Sequence, residues 1–164
     1  MNDVKNFGLY DSTFEKSSCG VGFLTRKDGK QTHELLVKGH EALCAVPHRG
    51  GMSAEGVGDG AGVSIDLSVT FFSRVVGASL VPGEFGVGNF FLPNNKSQHG
   101  RAKKLIDDAL KSEGMVTLIT RSVDVDNSVL RPAAIKYQLP IAQWVFAAPK
   151  GIRGAALEKR IHKA

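Results

Sequence analysis

A cysteine at position 19 opens Ser17-Ser18-Cys19-Gly20-Val21-Gly22-Phe23, a thiol placed between two small residues and a Gly-x-Gly step into an apolar run. Small Gly20 and Gly22 leave room beside the sulfur, and a rigid extended segment after it would hold the thiol in one place. That is the setting a nucleophile needs, and it equally suits inert packing. About thirty residues on, His48-Arg49-Gly50-Gly51 sets a guanidinium in a glycine frame. There it serves either as a surface cation or as a fork that grips a carboxylate with two hydrogen bonds. A third cluster, Gly56-Val57-Gly58-Asp59-Gly60-Ala61-Gly62, has no G-x-G-x-x-G register and leads toward a strand, and Asp59 would repel a phosphate. It reads as a tight loop needing positive φ, or as backbone that lets a ligand approach closely. Cys44, the second cysteine, reads as buried packing. His33, His40, His99 and His162 have no partners at metal-ligand spacing, so no metal site is expected.

The elements that must hold these residues follow from periodicity. Cys19 to Thr25 has the composition of a short buried strand, and Arg26-Lys27-Asp28-Gly29-Lys30 supplies an Asp-Gly turn. His33 to Leu43 carries Leu35, Leu36, Ala42 and Leu43 at helical spacing, with Pro47 as its stop. Val63 to Val69 alternates as a strand does. Phe85 to Leu92 reads as a buried strand ended by the turn Pro93-Asn94-Asn95. Ser97 is the expected cap of a helix whose apolar face is Leu105, Ile106, Ala109 and Leu110 and whose stop is Gly114. Met115 to Arg121 and Ala142 to Ala147 complete the strands, and Gly154 to His162 begins an amphipathic helix with Leu157 and Ile161 on one face. Without regular βαβ alternation, the expected class is α+β with largely antiparallel pairing.

Composition bounds the rest. The 164 residues, 42% of them hydrophobic, suffice for one ordinary domain or part of a larger one. No apolar stretch approaches the roughly 18 residues that span a bilayer, and the first sixteen residues lack a signal-peptide core. With only two cysteines, a reducing, cytoplasmic setting and no membrane partner are expected. The net charge of +5 is uneven: residues 150–164 hold five cations against Glu158, leaving a net +1 for residues 1–149. A nearly neutral body with one basic tail and no aromatic platform argues against nucleic acid as a partner.

Taken in order, LYDSTFEKSSCGVGF, HRGG and GDGAG, followed by EFGVGNFFLPNN, KSEGM and RPAAIKYQLPIAQWVFAAPKG, resemble the N-terminal glutaminase domain of the glutamate synthase large subunit. This is a class II glutamine amidotransferase with the N-terminal-nucleophile fold, and the resemblance covers nearly the whole chain. It implies an αββα sandwich of which these residues form the first part. It also implies a propeptide over residues 1–18 cut at Ser18–Cys19, and Cys19 as the catalytic residue. L-glutamine would be held by Arg49, Gly50, Asp59 and Gly60. HRGG stands where HRGA is commoner, a small departure. The family's oxyanion Asn-Gly pair and the acid that holds the substrate amine fall beyond residue 164, and Asn89, Asn94 and Asn95 lie in the wrong context to replace them. The amphipathic segment ending at Ala164 looks like a domain cut short, whose exposed apolar surface would aggregate or be completed by another polypeptide. FMN and an iron–sulfur cluster are implied for the complete enzyme and no cofactor for this chain. The implied partners are the remainder of the large subunit and its electron-donating partner. The competing reading is a non-catalytic scaffold that keeps the glutamine-binding loop.

Overall fold

The computed structural model describes residues 21–45, 58 and 60–164, and it divides at Ile65/Asp66 into two compact units. In the first, the turn after Arg26 forms as expected. Gly29 N–H donates to Arg26 O at 3.0 Å, and the Arg26 guanidinium grips Asp28 through Nε and Nη2 at 2.9 and 2.8 Å. Helix α1 (His33–Cys44) starts where Thr32 Oγ1 accepts from Leu35 N–H, and Lys38 reaches back one turn to Glu34 at 2.7 Å. The expected buried strand at Cys19–Thr25 is not found in its described part. Residues 21–26 form no ladder, and Val21 and Phe23 are each more than 90% exposed. Alternation marks a strand only where a partner strand is present, and none pairs with this run among the described residues.

The second unit, from Asp66, holds a three-stranded sheet. Its strands are β1 (Phe85–Phe91), β2 (Val116–Ser122) and β3 (Ile141–Ala147), in the order β1-β3-β2 with both pairings antiparallel. The strands fall close to where the sequence places them, and the class is α+β. Helix α3 (Lys96–Ser112) links β1 to β2 and ends before Gly114, but its cap is Asn95, whose Oδ1 accepts from Ser97 and Gln98 N–H at 3.0 and 3.1 Å. Ser97 therefore lies inside the first turn and is not the cap. The buried face also differs from expectation: Ala102, Ile106 and Leu110 face the core, while Leu105 is 60% exposed.

The strand expected at Val63–Val69 is not formed. Residues 61–68 form no strand, and helix α2 (Val69–Val76) begins instead at Ser68, whose Oγ accepts from Phe71 N–H at 3.3 Å. Gly77 closes it at φ +75°, a conformation a side-chain-bearing residue adopts only with strain. The cap serine and the stop glycine override the β-branched composition of VTFFSRVV. Between β2 and β3 a short 3₁₀ turn at Asn127–Val129 precedes α4 (Pro132–Ile135), and α5 (Ala155–Ile161) follows β3.

Strand alternation sends the core to both faces of β3. Ala142, Trp144 and Phe146 join Leu92, Leu110, Met115 and Leu157 on the face covered by α3 and α5. Val145 joins Phe72 and Phe85 on the α2 face. Trp144 is fully buried, and its indole N–H is satisfied by Asp107 Oδ1 at 2.8 Å, which also accepts from Thr117 Oγ1 at 3.2 Å. One carboxylate of α3 thus ties the helix to two strands. At the β1 edge, a Cβ on Gly86 would sit 2.5 Å from the Phe146 ring, so only glycine lets that ring lie flat over β1.

Candidate functional site

Six residues carry the site read from the sequence: Ser18, Cys19, Arg49, Gly50, Asp59 and Gly60. The first five lie outside the described residues, so the structure speaks to their framework. Gly60 is exposed at φ +87°, and a Cβ there would meet nothing within 4 Å. Its glycine is required by backbone conformation and not by space, in line with a loop that needs positive φ.

The framework comes from α1. A Cβ at Gly39 would lie 3.8 Å from Val63 Cγ1 and 4.0 Å from Leu24 Cδ1. Leu24 sits five residues after Cys19, and Val63 sits three after Gly60. Leu24 and Val63 therefore lie against the same face of α1, at Gly39. A Cβ at Gly39 would meet both at ordinary van der Waals distance, so the packing there does not itself demand glycine.

Around this framework the charges are exposed and locally paired. The hydrogen bond from Arg26 holds the Asp28 carboxyl below the usual carboxylate range, with the Lys30 backbone N–H adding to the effect. The hydrogen bond from Lys38 does the same for Glu34. Cys44 corrects the sequence reading: it is free and exposed, with its sulfur 3.9 Å from both ring nitrogens of His40 one turn back. No residue of α1 is fully buried.

In the second unit a polar row crosses the sheet that sequence reading did not single out. Arg121, Gln143 and Asn89 are direct cross-strand neighbours. Arg121 Nε donates to Gln143 Oε1 at 2.8 Å, and Gln143 Nε2 donates to Asn89 Oδ1 at 2.9 Å. The Arg121 guanidinium also lies over the Phe71 ring, 5.6 Å from its centroid. Asn89 is thus tied into the sheet. Only the register of three strands reveals the row, because the three residues are 32 and 22 positions apart. Among the described residues no group of three His, Cys, Asp or Glu is placed to hold a metal, and no helix is long and apolar enough to cross a membrane.

Comparison with known proteins bears on the whole chain. The family model for class II glutamine amidotransferases matches residues 19–164. The chain is 34% identical over 145 residues to a glutamate synthase [NADH] of Saccharomyces cerevisiae, covering 83% of this chain and 7% of that protein. It is 32% identical over 142 residues to the glutamate synthase [NADPH] large chain of Bacillus subtilis, covering 85% and 9%. With the ferredoxin-dependent glutamate synthase 2 of Synechocystis it shares 32% identity over 155 residues, 92% of this chain and 10% of that one. The chain spans about a tenth or less of the length of these relatives. With a family match across most of its length and relatives that are consistently glutamate synthases, the chain belongs to the class II glutamine amidotransferases, as an amidotransferase domain of the glutamate synthase type.

Proposed function

We propose that this chain is the glutaminase part of a glutamate synthase, with Cys19 as an N-terminal nucleophile exposed by removal of residues 1–18. The single observation that carries the reading is that the family match opens at residue 19, on the cysteine itself. Cleavage at Ser18–Cys19 converts an amide nitrogen, which cannot take a proton, into an α-amino group with a reference pKa of roughly 7.7–8.0. That amine accepts the thiol proton as sulfur attacks the carboxamide carbon of glutamine. The C–N bond breaks, the nitrogen leaves as ammonia after taking up a proton, and a thioester remains. Water then hydrolyses the thioester, releasing glutamate and restoring the thiol.

Arg49 binds the glutamine α-carboxylate as a two-pronged fork, selecting an amino acid over a simple amide. Gly50 permits the close approach, and Asp59 and Gly60 shape the pocket wall. The tetrahedral intermediate needs an oxyanion hole supplied by polypeptide beyond residue 164, in the second half of the αββα sandwich of the N-terminal-nucleophile fold. Removing one such donor typically costs about 10²–10³ in rate. Ammonia then passes to a synthase part that reductively aminates 2-oxoglutarate. The steps at Cys19 need no cofactor. FMN and the iron–sulfur cluster of the complete enzyme belong outside this chain, whose two cysteines are too few for the four thiolates a cluster usually takes.

Intact mass of the purified chain, followed by glutamine hydrolysis assayed in the polypeptide that includes the rest of the domain, tests the proposal. The expected results are a mass lacking residues 1–18 and activity abolished by Cys19→Ser with glutamine still bound. A matured protein that hydrolyses glutamine equally well with Ser at position 19 would overturn the nucleophile. Glutamine binding with no turnover in the wild-type domain would favour the scaffold reading.

A further inference from the structure

The turn that leads from residues 21–26 into α1 contains a reactive bond. Asp28 is followed by Gly29, and an aspartyl-glycyl bond is open to one spontaneous reaction. The Gly29 amide nitrogen attacks Asp28 Cγ and forms a new N–C bond, while the amide proton and the carboxyl hydroxyl leave as water. The cyclic imide so formed then takes up one water at either carbonyl. Opening at the α-carbonyl leaves the chain running through Cγ, an isoaspartyl linkage with one more backbone atom and an unchanged mass. Nothing is oxidised or reduced, and water is both the leaving group and the co-reactant. Glycine favours the attack because it has no side chain to shield its nitrogen.

The fold needs glycine here for another reason. Gly29 stands at φ +66°, where a side-chain-bearing residue would be strained, although a Cβ would meet nothing within 4 Å. The turn thus demands the very residue that opens the bond to attack. Contacts around Asp28 oppose the reaction. Gly29 N–H donates to Arg26 O at 3.0 Å, so the attacking nitrogen must give up a hydrogen bond to turn toward Cγ. Arg26 Nε and Nη2 hold the two carboxylate oxygens at 2.9 and 2.8 Å, and Lys30 N–H donates to Oδ1 at 3.2 Å. A two-pronged grip of this kind fixes the rotation of the carboxylate as well as its position. The same bonds, Arg26 first and Lys30 second, hold the carboxyl below the usual range, and an ionised carboxylate has no hydroxyl to lose.

We propose that Asp28–Gly29 is a latent isoaspartyl modification site, kept closed by the grip of the Arg26 guanidinium on the Asp28 carboxylate. The consequence of opening it reaches α1. Thr32, four residues on, caps that helix, and Leu24, four residues before, lies 4.0 Å from where a Cβ would stand on Gly39. One added backbone atom between Leu24 and Thr32 lengthens the link that sets this contact. The assignment stands independently of the chemistry proposed for Cys19.

Ageing of the purified chain in neutral buffer tests it, with isoaspartate read by enzymatic methylation of the isoaspartyl carboxyl. Cleavage after glutamate puts Asp28 and Asp59 in different peptides, since Glu34, Glu41 and Glu55 lie between them. The folded wild type should form isoaspartate at Asp28 more slowly than the same chain in denaturing urea. Arg26→Ala, which removes the guanidinium but keeps the backbone carbonyl, should raise the folded rate about fivefold, the modest size expected of an exposed pair. Arg26→Lys keeps the charge without the fork and should fall between the two. Equal rates in wild type and Arg26→Ala, or a folded wild type that reacts as fast as the denatured chain, would overturn the proposal. Lysine that suppresses the reaction as fully as arginine would also overturn it, because charge alone would then suffice. Amide exchange over α1 reports whether the variants keep their fold. If Arg26→Ala opens α1, Arg26→Lys gives the decision: a rate above wild type supports the grip, and an unchanged rate rejects it.

Discussion

The roles proposed for Cys19 and Arg49 are separable at the scale of single residues. Under the proposed reading, Arg49→Ala should weaken glutamine binding while leaving maturation at Cys19 intact, because the proposed fork holds the substrate carboxylate and has no part in cutting Ser18–Cys19; calorimetric titration of glutamine measures this. Unchanged binding would contradict a pocket at Arg49. The exposed pair Arg26–Asp28 makes a pH-dependent prediction with a definite sign. The Asp28 pKa is lower folded than unfolded, so its contribution to stability is present above the ordinary carboxylate value. That contribution is lost as pH falls through the depressed value. Carbon-13 NMR titration should place the Asp28 midpoint below the ordinary range, and Arg26→Ala should return it there. The effect on stability is small because solvent screens the pair.

Two side chains decide how helices are held at the scale of elements. Asn95 accepts two N–H groups at the start of α3, and Asn95→Ala should cost about 1 kcal/mol in urea denaturation. Asp107 matters differently, because it satisfies a buried indole. Asp107→Ala would strand the Trp144 N–H in the core, at about 1–3 kcal/mol, whereas Asp107→Asn keeps an acceptor and should cost less. Equal losses for both variants would show that the carboxylate charge, and not the hydrogen bond, holds α3 to the sheet. The basic end of the chain is partly structural at this scale. Arg160 Nη1 donates to Glu113 O at 2.9 Å, closing the end of α3, and Arg153 lies 3.7 Å from Glu84.

Apolar side chains that stay exposed, among them Phe91 at 67% and Val116 at 59%, act at the scale of the whole molecule. The 164-residue chain should associate as its concentration rises, through these exposed apolar side chains. Sedimentation velocity over a dilution series measures this, and a single unchanging species at all concentrations would contradict it. The +5 charge should not yield tight nucleic-acid binding, since two of the cations near the end of the chain, Arg153 and Arg160, stand beside Glu84 and Glu113. Duplex DNA affinity that is strong and falls steeply with salt would reverse that expectation.

Much of this protein was legible in the order of its residues. The motif series from Cys19 through HRGG and GDGAG to the FGVGNFF strand identified the family, because motifs are local and need no partner to be read. β1, α1, α3, β2 and β3 were legible for the same reason: each carries its own period and stop signal. The failures share one cause. Val21–Thr25 and Val63–Ser68 have strand composition, but a strand exists only where another strand pairs with it, and Ser68 with Gly77 tipped the next segment into helix α2. Burial was likewise a tertiary outcome. Leu105 and Leu110 look equivalent in sequence, yet only Leu110 joins the core on the sheet, and Cys44 is exposed on a helix with no buried residue. The Arg121–Gln143–Asn89 row depends on register. It arises only when three strands are placed together, which is why the tertiary structure alone decided it.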